Sequence, residues 1–88
     1  MSVTDVDLGL DHRADPPRVA YRIGRRVGSA VVRNRLRRRL RAVMHAHVDL
    51  LRPGHAYLVA SGREAAHWDA ARLEAAVGAI LEDLGKSR

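Results

Sequence analysis

Eighty-eight residues suffice for one small domain with a thin core, and for little more. An apolar share of 47% excludes disorder along the whole chain, and the lack of cysteine excludes disulfides and thiolate metal sites. The net charge of +6 is unevenly spread: no acid lies between Asp15 and Asp49, a stretch that holds ten arginines. Such a concentration predicts a strong positive field on one part of the surface and hence a polyanionic partner. No apolar run could cross a bilayer and the acidic, interrupted N-terminus is no signal peptide, so the expected compartment is the cytoplasm.

In chain order, "VTDVDLGLD" alternates Val6, Leu8 and Leu10 with Asp5, Asp7 and Gly9, the period of a half-buried strand, with its acids outward as on a protected edge. The prolines of "DHRADPP" make a loop, and "RVAYRIGRR" follows as a second strand with Val19, Tyr21 and Ile23 on one face. These two strands are expected to pair as a hairpin. Gly28 breaks the second strand and Ser29 can cap a helix. From there the period becomes helical, with Val32, Leu36, Leu40, Val43 and His47 on one stripe, and "RPG" at Arg52–Gly54 predicts a stop near Leu51. "HAYLVAS" is the most apolar strand and therefore the central one. "WDAARLEAAVGAILEDLG" is a second amphipathic helix that buries Leu73, Val77, Ile80, Leu81 and Leu84 and stops at Gly85. The resulting order is ββαβα, an α+β fold with two helices packed on a small sheet, and residues 1–88 form a single domain.

The run "VVRNRLRRRLR" (Val31–Arg41) carries six arginines and no acid, yet its apolar stripe continues unbroken, so it is a helix and not a disordered tail. Wheel geometry lines Arg33, Arg37 and Arg41 along one edge, Asn34 and Arg38 in the next row, and Arg35 and Arg39 on the opposite flank. Without an acid at i±3 or i±4 these charges repel by about 0.2–0.5 kcal/mol per pair, which an external anion offsets better than the helix itself. Arginine also suits phosphate, through its planar bidentate fork. Membrane binding would need apolar bulk beside the arginines, and here that stripe is committed to the sheet. Arginine and asparagine on a helix could also read DNA, so charge alone leaves the nucleic acid open.

A more specific signal lies in the order of residues. The stretch Gly24-Arg25-Arg26-Val27-Gly28-Ser29-Ala30-Val31-Val32-Arg33-Asn34-Arg35-Leu36-Arg37-Arg38-Arg39-Leu40-Arg41 resembles the signature of the bacterial ribonuclease P protein subunit. That signature is a strand ending in two basic residues, then Val-Gly, a short cap and Ala-Val-x-Arg-Asn-Arg. "LRPGHAYLVASGR" is similar to the family's Pro-x-Gly turn and central strand, and the resemblance covers about Val3 to Leu84. It implies a protein that joins a large catalytic RNA and assists removal of the 5′ leader from precursor tRNA. The RNA would supply the chemistry with magnesium at its own active site, and the protein would bind no cofactor. The expected RNA contacts are Arg25, Arg26, Arg33, Asn34, Arg35, Arg37, Arg38 and Arg41. The resemblance further implies a left-handed strand-helix-strand crossover, against the usual rule. Relative to the family pattern the chain begins at the second strand, so an N-terminal helix and first strand with leader-gripping aromatics are expected to be absent. Tyr21 and Tyr57 are then the candidates for leader contact, divided between that role and core packing.

The other candidates are plainer. His45 and His47 point about 200° apart on a helix, and His12, His55 and His67 stand singly, so no metal site is expected. Asp5, Asp7 and Asp11 suggest solubility and edge protection, Ser29 a cap, Ser61 a loop residue, and Trp68 a packing anchor. The competing class is a general nucleic-acid-binding or ribosome-associated basic protein without a catalytic role.

Overall fold

A computed structural model describes residues 1–9 and 15–86 of the chain. Strand β1 (Ser2–Asp7) and strand β2 (Arg18–Ile23) precede helix α1 (Ala30–Ala46), strand β3 (His55–Ser61) and helix α2 (Ala70–Lys86). Single 3-10 turns at Arg25–Val27, Val48–Leu50 and Arg63–His67 join them. The α+β architecture and the element order agree with the sequence reading.

The sheet order is β1-β3-β2, and this corrects the expected hairpin. β3 lies between the other two strands, antiparallel to β1 with Val3 opposite Val59, and parallel to β2 with Tyr21 opposite Val59. The reason is composition. β3 carries no Asp, Glu, Lys or Arg and tolerates neighbours on both sides, whereas Arg18 and Arg22 suit β2 to an edge. The parallel β2–β3 pair requires a crossover, and α1 provides it.

Both helices cover one face of the sheet. Val3, Ile23, Tyr57 and Val59 are buried there against Leu36, Leu40, Val43, Met44, Leu73, Val77 and Leu81. Each such side chain contributes about 1.5–3 kcal/mol of burial, which makes this cluster the main stabilising element of a small domain. The opposite face shows Val6 and Leu58 to solvent at 49% and 37% exposure.

The first strand therefore turns its faces the other way from the alternation read in the sequence. Val3 is inward, Val6 outward, and Leu8 lies beyond the strand; Leu10 and Asp11 fall outside the described residues, as does His12. Asp5 also faces the helices, where its Oδ1 lies 2.8 Å from His55 Nδ1. Asp7 Oδ2 is 4.0 Å from the other ring nitrogen. Of the two acids expected outward, Asp5 is thus an inward partner of His55, while Asp7 stays exposed at the edge of the same ring.

Helix α1 is shorter than expected and ends at Ala46. His47 is its C-terminal cap, a half-buried residue whose Nδ1 is 3.0 Å from the Val43 carbonyl, and a 3-10 turn carries the chain to Leu51. Ser61 closes β3, and Gly85 lies within α2. Ile80 and Leu84 are partly buried, at the margin of the α2 stripe.

Candidate nucleic-acid interface

The interface begins with the turn before α1. Gly28 has φ 152°, and a Cβ there would stand 3.1 Å from Val32 Cγ1, so both conformation and space call for glycine. Ser29 caps the helix as expected: its Oγ accepts the Val32 N–H at 3.3 Å, and its carbonyl accepts the Arg33 N–H at 2.9 Å. Burial of Leu36, Leu40, Val43 and Met44 then fixes the rotation of the helix, so the arginines face away from the sheet.

Asn34, Arg35, Arg37, Arg38 and Arg41 meet along that outward face with Val31, lining a groove of about 500 Å³. No acid lines it, and none stands in the first turn of α1 to favour the helix dipole. Arg37 Nη1 donates to Asn34 Oδ1 at 2.9 Å, which orders part of the groove wall. Arg33 is partly covered and is not part of the lining. Arg39 leaves the basic face altogether, since its Nη1 donates to the Trp68 carbonyl at 3.2 Å and ties α1 to the turn before α2. Trp68 is the packing anchor expected of it, with the Arg72 guanidinium 4.6 Å above its ring.

Arg25 and Arg26 belong to a different hollow. With Arg22, Gly24, Val27, Ser61 and the N-terminal residues they line a space of about 680 Å³ beyond the ends of β2 and β3. Val27 is buried in the core cluster and anchors this turn, so the two basic surfaces are held one after the other along the chain. Arg22 and Val31 were not singled out by sequence reasoning. Their signal was available: neither falls on the apolar stripe or strand face that packs the core.

The two tyrosines separate. Tyr57 is 1% exposed beneath the helices, where its hydroxyl accepts the Arg52 N–H at 2.9 Å, so its place in leader contact is withdrawn. Tyr21 shares the helix-covered face but is only partly buried. Burial raises its hydroxyl pKa above the ordinary 10.0, and the nearby positive charge of Arg41 opposes that shift. Among the described residues no three His, Asp or Glu side chains are grouped to hold a metal ion, and no helix is long and apolar enough to cross a membrane.

A helix whose outward face is an acid-free arginine groove, fixed to a small sheet by its apolar stripe, defines an α+β domain with a surface complementary to polyanions. The comparisons make that class specific. The chain belongs to the Ribonuclease P family, whose sequence profile matches residues 6–85. The ribonuclease P protein component of Beutenbergia cavernae is 47% identical over 72 residues, covering 81% of this chain and 60% of that protein. The corresponding component of Thermobifida fusca is 40% identical over 76 residues, covering 82% of this chain and 52% of that protein. The chain thus spans between about half and three-fifths of the length of these relatives. In fold it is similar to the RNase P protein of Staphylococcus aureus, with a TM-score of 0.76 at 17% identity over 93% of this chain and 72% of that one. The RNase P protein of Thermotoga maritima superposes with a TM-score of 0.77 at 19% identity, over 92% of this chain and 74% of that one.

Proposed function

We propose that this chain is the protein subunit of ribonuclease P, a single RNA-binding domain that docks on the catalytic RNA and assists removal of the 5′ leader from precursor tRNA in the cytoplasm. The observation that carries this reading is the acid-free groove of Asn34, Arg35, Arg37, Arg38 and Arg41 on α1, within a chain of the Ribonuclease P family. Arg33 flanks that groove, and Arg25 and Arg26 extend the basic surface around the preceding turn. The mechanism is electrostatic: guanidinium groups offset phosphate repulsion in folded RNA and so lower the magnesium it requires. Any magnesium would be held by the phosphates of the RNA, which would supply the chemistry that cleaves the leader. The groove arginines offer a cation no oxygen ligand. Tyr21, still partly at the surface, is the remaining aromatic candidate for contact with the leader.

Reconstitution tests the reading. The chain is mixed with catalytic RNA from its own source, and precursor-tRNA cleavage is followed at low magnesium. Restored cleavage supports the subunit, whereas a folded chain that restores nothing is a general nucleic-acid binder. Preference for the structured RNA over duplex DNA at equal charge density separates the same two readings. Replacing Arg33 and Arg38 together by alanine is expected to weaken RNA binding and lower the slope of log K against log salt by roughly two units, since each arginine releases about one counterion. An unchanged slope removes both residues from the phosphate contacts.

A further inference from the structure

One apolar side chain sits among the charges of the α1 groove. Val31 is 67% exposed, more than any other large apolar residue among those described, and it lines the groove beside Asn34, Arg35 and Arg38. It adds nothing to the core, and an exposed β-branched residue lowers helix propensity. Next to it, Asn34 Oδ1 is engaged by Arg37 at 2.9 Å, which fixes the amide plane and leaves the two Nδ2 hydrogens for an incoming acceptor. A row of phosphates needs neither feature, because arginines alone satisfy it. A flat ring with acceptors on its edge uses both. A volume of about 500 Å³ accommodates such a ring with its sugar.

We propose that the groove holds one unpaired, outward-turned nucleotide of the catalytic RNA, with its base on Val31, its edge on the Asn34 amide, and its flanking phosphates on Arg35 and Arg38. Continuous A-form duplex cannot supply this, because its bases are stacked and its major groove is too deep and narrow for side chains. The inference rests on the docking of α1 to catalytic RNA proposed above and adds a point of base recognition to it. Val31 and Asn34 then set specificity, while the arginines set affinity.

The test compares two RNAs: the catalytic RNA from the same organism, and a fully paired RNA duplex. Val31→Thr keeps the side-chain shape and exchanges one of its two methyl groups for a hydroxyl; Asn34→Ala removes the amide. Both positions are exposed, and a thermal melt checks that each variant stays folded. Each substitution is expected to weaken binding to the catalytic RNA by roughly threefold to tenfold, with the salt slope unchanged, and to leave duplex binding intact. One nucleotide of the catalytic RNA should be protected from base-specific chemical modification by the parent chain and exposed again with Val31→Thr. Equal losses on both RNAs overturn the proposal, as does no loss on the catalytic RNA while Arg33→Ala/Arg38→Ala still weakens it; the groove then holds phosphates alone. If the arginine pair has no effect on either RNA, the docking of α1 falls first, and the bound nucleotide with it.

Discussion

Gly28 shows how much one residue can carry. Its φ of 152° strains any side chain, and the 3.1 Å approach of Val32 Cγ1 would have to give by a few tenths of an ångström at the turn that aims α1. Gly28→Ala is expected to cost about 1–3 kcal/mol, read as a lower unfolding midpoint in urea, and to weaken RNA binding by misaligning the helix. Tyr21 gives a pH signature. Its folded pKa lies above the ordinary 10.0, so the fold holds the proton more tightly than the unfolded chain. The stability this contributes is present below 10.0 and is lost as pH rises through the folded value. Thermal melts on the alkaline side should show that loss in the parent chain and not in Tyr21→Phe. At this scale the sequence was most legible where interactions are local. The Ser29 cap and the glycine break could be read directly, because their partners lie within four residues. Tyr57 could not, because nothing nearby distinguishes a sealed tyrosine from a stacking one.

Among the elements, the two helices were legible from periodicity and the central strand from its apolar composition. The wheel set the arginines off the buried stripe but put Arg35 on the flank opposite Arg37, whereas both line the groove and Arg33 does not. The pairing of the strands was not legible. Adjacent strands across a short proline loop invite a hairpin, and only the long-range preference of β3 for two neighbours separates them. The same distance hid the orientation of β1. Local alternation places Asp5 in solvent, but its partner, His55, is fifty residues away, and that contact turns the strand over. Asp5→Ala should leave the partly buried imidazole unsatisfied and cost about 1–3 kcal/mol. Asp7→Ala, whose side chain is 72% exposed and 4.0 Å from the ring, should stay within about 0.5 kcal/mol of the parent chain. Equal effects in thermal denaturation would show that His55 does not discriminate between the two acids.

For the whole molecule, the balance is between a thin core and a strongly charged surface. Among the described residues one buried cluster joins both helices to the three strands, so none of these elements has a core of its own. Heating should therefore give a single transition, with far-ultraviolet circular dichroism and the fluorescence of Trp68 changing together. Separate transitions would mean that α1 keeps its helix after the sheet is lost, and that RNA binding need not report on folding. Mutual repulsion of the groove arginines should also make the transition move upward with added salt.

The central position of β3 has a consequence in time. Among the described residues β1 and β2 each pair with β3, which comes later in the chain than either, so neither of these ladders exists until His55–Ser61 arrives. Until then β1 and β2 lack their described partner, and α1 carries its arginines with its apolar stripe not yet packed on β3. Every rung of the sheet closes a long loop, which slows folding for a chain of this size. RNA present during synthesis would therefore meet the charge of this protein before it meets the fold.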